Sequence, residues 1–121
     1  MTDLRNYIGM VKKMGQLYAI SKKVSTKFEI ASLTEQVDGN NAVLFSNIKE
    51  SKLRLVANLV GNRARFAMAV SGTEDTIHQK VISAISRAKK PKIVTYGKFF
   101  ENKSRDLSIL PIVTHFQKES G

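Results

Sequence analysis

Two arginines at the start of a predicted helix are the most chemically suggestive feature of this sequence. An alternating apolar segment ends at Asn58, Gly61 turns the chain, and Asn62 is suited to cap the helix that follows. Arg63 and Arg65 fall in the first helical turn, where a positive charge opposes the helix dipole. Two interpretations have equal weight: the arginines pair with an anion or carboxylate, or they are solvated side chains beside a face of small residues.

Patterns for metal binding or nucleophilic catalysis are sparse. His78 and His115 lie far apart, and Glu74 precedes His78 by one helical turn, so this face offers a metal two ligands and lacks the third that catalytic zinc usually needs. The chain has no cysteine, no Gly-x-Ser-x-Gly elbow and no glycine-rich phosphate loop. We therefore expect no catalytic, cofactor-binding or metal-binding residue in this chain.

The length and composition indicate one folded domain. A chain of 121 residues with 42% hydrophobic residues is long enough to bury a core without disulfides. Its longest apolar runs are far shorter than the roughly 20 residues of a membrane-spanning helix. The N-terminus lacks the basic and apolar regions of a signal peptide. We expect a soluble, cytoplasmic protein with no membrane span.

The strong positive charge supports a second functional hypothesis. Twenty Lys and Arg residues against ten Asp and Glu leave +10, which attracts nucleic acid, another polyanion or an acidic protein face. The densest cluster is Arg87, Lys89, Lys90 and Lys92. No RNA-binding aromatic motif or zinc knuckle accompanies it. A small basic module that binds nucleic acid or another polyanion is therefore the alternative hypothesis, and solvated cations at a helix end are the simpler explanation.

Hydrophobic periodicity predicts a single α/β (α+β) domain with a small mixed sheet flanked by about four helices. Helices are predicted from a cap at Thr2 to Gly15, over residues 27–37, from Asn62 to about Val70, and from Thr73 to Pro91. Strands are predicted over residues 16–21, 42–45 and 53–59, the last two as neighbours, with short candidates at 93–96 and 99–100. The last helix has the clearest apolar stripe, formed by Ile77, Val81, Ala84, Ile85 and Ala88.

The final apolar run, residues 108–116, is interrupted by Pro111 and is typical of a segment that leads into a further element. We expect residues 1–106 to form the domain and residues 107–121 to form a junction toward a part that this chain lacks.

Several blocks of the sequence, taken in order, resemble the N-terminal domain of UbiD-type carboxy-lyases. This is the family of 3-octaprenyl-4-hydroxybenzoate decarboxylase and related aromatic and acrylic acid decarboxylases. The blocks are residues 2–5, 15–17, 23–25, 29–31, 42–49 (Ala-Val-Leu-Phe-Ser-Asn-Ile-Lys), 58–63 with Ala67, and 110–116 (Leu-Pro-Ile-Val-Thr-His-Phe). Their order and spacing over nearly the whole chain carry the resemblance.

The resemblance implies an accessory role in a larger enzyme. Members of the family are several times longer, and their central domain binds prenylated flavin mononucleotide, manganese and a monovalent cation. There the flavin forms an adduct with the unsaturated acid, and a Glu-Arg-Glu set moves protons. By resemblance this chain is an N-terminal domain or small subunit that packs on the flavin domain and borders the entrance to the site. We expect the isolated chain to be inactive.

The expected partner is the UbiD-type catalytic domain or large subunit, and a homo-oligomer is also compatible with the sequence. Residues 107–121 would lead toward the flavin-binding domain. The candidate contacts to the catalytic part are Asn58, Arg63, Arg65, Thr114 and His115. A third hypothesis, that the chain is itself a complete enzyme, requires ligands and nucleophiles that the sequence does not present.

Overall fold

The first helix begins at an aspartate cap. A computed structural model describes residues 3–118. Helix α1 (Leu4–Lys13) follows Asp3, whose side chain accepts a hydrogen bond from the Asn6 backbone N–H at 2.8 Å. The predicted cap, Thr2, lies outside the described residues, and Asp3 holds the N-cap position. Gly15 follows the helix with a φ of 70°, a left-handed conformation that costs glycine no steric energy.

Three strands form one mixed sheet, which confirms the predicted fold class. They are β1 (Leu17–Ile20), β2 (Ala42–Phe45) and β3 (Leu55–Ala57), in the spatial order β1-β2-β3. β1 and β2 run parallel, with Leu17 opposite Ala42, whereas β2 and β3 run antiparallel, with Phe45 opposite Leu55. A parallel pair needs a crossover connection, and this one contains α2 (Glu29–Glu35).

The core consists of two clusters around the central strand β2. The first joins α2 to β2 and contains Val24, Ile30, Val43, Phe45 and Ile48. The second lies under α1 and contains Tyr7, Val11 and Ala42, with Leu17, Leu59 and Met68 packed against them. Residues of β2 contribute to both clusters because successive side chains of a strand point to opposite faces of the sheet.

Two further helices follow β3. Helix α3 (Arg63–Ala69) begins at its predicted cap Asn62, and α4 (Ile77–Ser86) follows a 3-10 turn at Glu74–Thr76. Thr73 opens this turn as predicted, because its N–H donates to Thr76 Oγ1 at 2.8 Å. α4 ends at Ser86, well before the predicted stop at Pro91. None of the helices described within residues 3–118 has the length and apolar character needed to cross a bilayer.

The apolar stripe of α4 lies almost entirely in solvent. Ile77 is buried, but Val81 and Ile85 of the stripe are 38% and 74% exposed, Ile82 beside the stripe is 64% exposed, and every α4 residue after Ile77 is exposed. A helix that is apolar on one face normally packs that face against another element. The described part of this chain provides no such element, so the stripe remains uncovered.

The predicted strands at residues 93–96 and 99–100 are wrong. Within the described chain, residues 87–110 contain no strand and have only two 3-10 turns, Lys98–Phe100 and Leu107–Ile109. Ile93, the first residue of the strand predicted over residues 93–96, is 93% exposed. Residues of high β-propensity form a strand only where a neighbouring strand pairs with them, and here they have no such neighbour.

The chain returns to the domain after this exposed segment. The Thr114 N–H donates to the Thr26 carbonyl at 2.9 Å, and the Phe28 N–H donates to the Thr114 carbonyl at 3.1 Å. Ser51 Oγ donates to the Ile109 carbonyl at 2.5 Å. The described part of the predicted junction is therefore attached to this domain, and its last residues, 119–121, lie outside the described chain.

Candidate functional site

The turn after β3 is organised by Asn58, one of the five predicted contact residues. Its backbone has a φ of 58°, a left-handed conformation that asparagine adopts more readily than most residues. Its Nδ2 donates to the carbonyls of Asn41 at 2.8 Å and Val37 at 3.4 Å. The Asn58 amide thus connects the end of β3 to the loop before β2, within this domain.

Gly61 provides the space that the Asn58 side chain fills. A Cβ atom at position 61 would lie 1.6 Å from Asn58 Oδ1. A side chain at this position would therefore push the Asn58 amide away from the Asn41 carbonyl.

We expect Gly61→Ala to lower the free energy of unfolding by about 1–3 kcal/mol, because it breaks this hydrogen bond and strains the turn. Gly9→Ala is the matched control, since Gly9 lies within α1 and nothing lies within 4 Å of an added Cβ. That change should stabilise the domain by about 0.5–1 kcal/mol. Urea unfolding followed by circular dichroism measures both variants. Equal effects of the two substitutions would contradict the expected clash.

Arg65 lies in the core, not on the surface. It is completely buried, and its backbone N–H donates to the capping oxygen of Asn62 at 2.9 Å. Its Nε donates to the Leu59 carbonyl at 3.1 Å, its Nη1 to the Asn40 carbonyl at 2.6 Å and Gln16 Oε1 at 3.3 Å, and its Nη2 to the Asn58 carbonyl at 3.2 Å. The guanidinium thus joins the turn after β3 to the segments before β1 and β2. This structural role replaces the contact to a catalytic part that the sequence predicts for Arg65.

Tyr7 of α1 completes the polar cluster around Arg65. Its hydroxyl donates to the Arg65 carbonyl at 2.7 Å and lies 3.3 Å from the Leu59 carbonyl. Burial raises the pKa of the Tyr7 hydroxyl, and the nearby Arg65 guanidinium opposes part of that rise. The hydroxyl therefore keeps its proton and links α1 to α3. Because Tyr7 lies 58 residues from Arg65 along the chain, no local sequence pattern indicates this polar contact.

Arg63 is the exposed member of the arginine pair. Its Nη2 donates to the Glu74 carbonyl at 3.3 Å, and its Nε lies 3.9 Å from Glu74 Oε2, with the Arg63 side chain 58% exposed. This is the carboxylate pairing that the sequence offered as one interpretation, but the carboxylate belongs to the same chain. An exposed pair of this kind contributes about 1 kcal/mol or less, so Arg63 can exchange Glu74 for another acid at little cost.

The remaining predicted contact residues, Thr114 and His115, belong to another part of the domain. The Thr114 backbone is hydrogen-bonded to Thr26 and Phe28, just before α2, whereas the Arg63 side chain is hydrogen-bonded to the Glu74 carbonyl. Among residues 3–118, no hydrogen bond or ion pair connects the two groups. The structure therefore does not assemble the five predicted residues into one site.

Glu50 fixes the segment to which Thr114 is attached. One carboxylate oxygen accepts from Ser25 Oγ at 2.5 Å and the other from the Thr26 N–H at 3.0 Å. These hydrogen bonds, the Ser25 hydroxyl first, hold the pKa of the Glu50 carboxyl below its usual range. The charged carboxylate thus orders the Thr26 backbone. Because Glu50 lies far from Ser25 along the chain, no sequence motif indicated the contact.

An open groove of about 490 Å³ lies beside α2, and His115 contributes to its wall. Glu35, Asp38, Phe28 and Phe116 also line it, which places two carboxyl groups and an imidazole around one depression. However, within residues 3–118 no three His, Cys, Asp or Glu side chains are arranged to hold a metal ion. The described residues therefore do not fit a manganese site.

The buried polar groups also give no indication of a flavin site inside this domain. Among the described residues, every buried side-chain nitrogen and oxygen atom has a hydrogen-bond partner. The Arg65 cluster thus has a structural role, since its hydrogen bonds join segments of this domain.

Comparison with known proteins gives a consistent picture. The family described as 3-octaprenyl-4-hydroxybenzoate carboxy-lyase N-terminal domain matches residues 8–85. The anhydromevalonate phosphate decarboxylase of Methanosarcina mazei is 32% identical over 119 residues, which is 97% of this chain and 27% of that protein. The present chain thus spans about a quarter of the length of this curated relative.

Solved structures share the fold described above. The UbiD-class enzyme HmfF from Pelotomaculum thermopropionicum, in complex with FMN, matches with a TM-score of 0.82 and 30% identity over 93% of this chain and 27% of that chain. An evolved dimeric form of HmfF, in complex with prFMN, has a TM-score of 0.82 and 29% identity over 96% of this chain and 28% of its own.

Proposed function

Because this chain belongs to the family of 3-octaprenyl-4-hydroxybenzoate carboxy-lyase N-terminal domains, we propose that it is the N-terminal domain or small subunit of a UbiD-type decarboxylase. It supports catalysis by packing on the flavin-binding part of that enzyme and does not carry out the reaction alone. Residues 1–106 are the domain, and residues 107–121 are the junction toward the catalytic part. The enzyme acts in the cytoplasm.

The observation that carries this proposal is the uncovered apolar face of α4. Ile82 and Ile85 are 64% and 74% exposed on a helix whose first apolar residue, Ile77, is buried. Leaving such side chains in water forfeits about 1.5–3 kcal/mol for each one that could be buried. A partner that covers α4 recovers this energy, and the proposed catalytic part is that partner.

The course of the exposed segment supports the same proposal. The likeness to HmfF covers 93% of this chain, which is more than residues 3–86 alone could supply. It therefore extends into residues 87–110, which in this chain have almost no buried side chains. With so few contacts inside the domain, little holds this segment in one conformation. Packing against the rest of the enzyme is a sufficient physical cause.

The chemistry of the complete enzyme is assigned to its catalytic part. There we expect prenylated FMN, manganese and a monovalent cation, and an evolved form of HmfF is a similar protein that has been solved with prFMN. There the flavin would supply the decarboxylation chemistry, and no residue of this chain is assigned to hold it. The substrate is an aromatic or unsaturated carboxylic acid, and the relative from M. mazei acts on anhydromevalonate phosphate. Within this chain, Arg63 and the segment around Thr114 and His115 remain the candidate contacts.

Mixing the chain with the separately produced catalytic part tests the proposal. We expect a stable complex by sedimentation and calorimetry, with a negative heat-capacity change because apolar surface is buried. The backbone amides of α4 and residues 87–110 should gain protection from hydrogen exchange in the complex. Absence of binding would contradict the proposal. So would decarboxylation by this chain alone when prenylated FMN is added.

A further inference from the structure

The positive charge of the chain is concentrated in one exposed segment. Residues 87–105, named the basic arm here, carry seven Lys or Arg residues and one Glu, which is +6 of the net +10. These cations are Arg87, Lys89, Lys90, Lys92, Lys98, Lys103 and Arg105, and all of them are exposed.

The cations of the basic arm have no carboxylate partners in the described chain. Within residues 3–118, the ion pair between Arg63 and Glu74 is the only one in which nitrogen and oxygen lie within 4.0 Å. Lys103 is held by a different contact, with its Nζ 5.1 Å from the centre of the Phe100 ring. Four of the cations, Arg87, Lys89, Lys90 and Lys92, fall within six consecutive residues, and like charges repel one another over a screening distance of about 10 Å. The energy of the arm therefore falls when an acidic surface approaches it.

Large apolar side chains alternate with these cations. Ile93, Tyr96 and Phe99 are 93%, 77% and 69% exposed. A solvated basic tail would lack such residues, whereas a segment that lies on a protein surface buries apolar side chains and pairs its charges at the rim. The combination indicates a protein surface that is partly apolar and rich in carboxylates.

Two other occupants fit the arm less well. A second copy of this chain carries the same net charge of +10 and would be repelled. Single-stranded nucleic acid would need open aromatic faces for its bases. Here the Phe99 and Phe100 rings lie 4.3 Å apart, and Lys103 covers the Phe100 ring. Among the described aromatic residues of the arm, Tyr96 alone therefore presents a ring without a stacked neighbour, whereas a bound strand stacks successive bases on several rings. The observations therefore favour an acidic protein.

We propose that the basic arm docks on a carboxylate-rich, partly apolar surface of the catalytic part and that its charge accelerates their association. This inference rests on the proposed function and adds the chemistry of the partner surface. It separates two roles, because the apolar face of α4 provides the lasting contact and the arm provides the electrostatic attraction.

The chain offers a matched pair of variants for the test. Lys89 and Lys90 lie in the arm, whereas Lys22 and Lys23 form another exposed Lys-Lys pair, just after β1. Replacing either pair with glutamates changes the net charge by the same amount. We expect the double variant Lys89→Glu, Lys90→Glu to associate with the catalytic part about tenfold more slowly at low salt, and the control to stay within about twofold of the unmodified chain.

Stopped-flow kinetics at two salt concentrations, with thermal melting as the folding check, decides between the outcomes. The difference between the variants should shrink as salt rises, since screening weakens the attraction. If the unmodified chain binds and the two double variants associate with the catalytic part at equally reduced rates, the arm proposal fails and the proposed function stands. If the unmodified chain does not bind, both fail. A third outcome is that the arm variant associates normally with the catalytic part but no longer binds single-stranded RNA at physiological salt. In that case the arm binds nucleic acid, and the proposal is overturned.

Discussion

Replacing Arg65 with methionine is expected to lower the free energy of unfolding by about 2–4 kcal/mol. The substitution keeps most of the side-chain volume but removes every donor of a fully buried guanidinium. The Asn40 carbonyl and Gln16 Oε1 then lose their donor inside the domain. The Leu59 and Asn58 carbonyls keep only the hydrogen bonds from the Tyr7 hydroxyl and the Gly61 N–H. Each buried acceptor left without a partner costs about 1–3 kcal/mol. The total free energy of unfolding of a small domain is only about 5–15 kcal/mol, so this one substitution removes a large share of its stability.

Arg63→Met is the control for this prediction. Arg63 lies on the same helix, but its side chain is 58% exposed and its ion pair with Glu74 spans 3.9 Å. We expect its replacement to change the free energy of unfolding by about 0.5 kcal/mol or less. Urea unfolding monitored by circular dichroism compares the two variants. If both arginines prove equally dispensable, the guanidinium does not hold the turn after β3 in place.

The second large effect is expected on assembly, with the fold left intact. Ile85→Glu should weaken binding of the chain to the catalytic part about 100-fold, because a charge would replace a central apolar contact of the interface. The same variant should unfold at nearly the temperature of the unmodified chain, since Ile85 is 74% exposed in the isolated domain. Calorimetric titration and thermal melting measure the two effects separately.

Gln79→Glu is the control for the added negative charge. Gln79 is exposed on α4 and, at helical spacing, lies outside the sector formed by Ile77, Val81 and Ile85. It should bind the catalytic part with an affinity close to that of the unmodified chain. Equal weakening by both substitutions would mean that charge, not the apolar face of α4, controls the affinity. A strong loss of thermal stability in Ile85→Glu would mean that Ile85 belongs to the core of this domain.

The elements with strong local signals are predicted well from the sequence. Asn62 caps α3 and Thr73 opens the turn before α4, because capping depends on residues three positions apart. The central strand over residues 42–45 agrees with the structure because a short apolar run between turn residues is a local pattern. Residues 93–96 and 99–100, which were wrongly predicted as strands, have a composition similar to that of residues 42–45 but no neighbouring strand to pair with.

The candidate site was predicted less well, and Arg65 shows why. Two arginines near a helix start look alike in a sequence, and both were assigned to an interface with a catalytic part. In the structure one points into the core and the other pairs with Glu74 at the surface. The difference depends on Gln16 and Asn40, which are distant in the chain and adjacent to Arg65 only after folding.

Local order in this protein, and its family, could be established from the sequence, because helix caps, turns, hydrophobic periods and the order of short blocks all involve residues close together in the chain. The parallel pairing of β1 with β2, the burial of Arg65, the return of Thr114 to residues 26–28 and the exposure of the α4 stripe were decided only by the three-dimensional arrangement. Each of these depends on contacts between distant segments, or on a surface that no segment described here covers, and no local pattern encodes them.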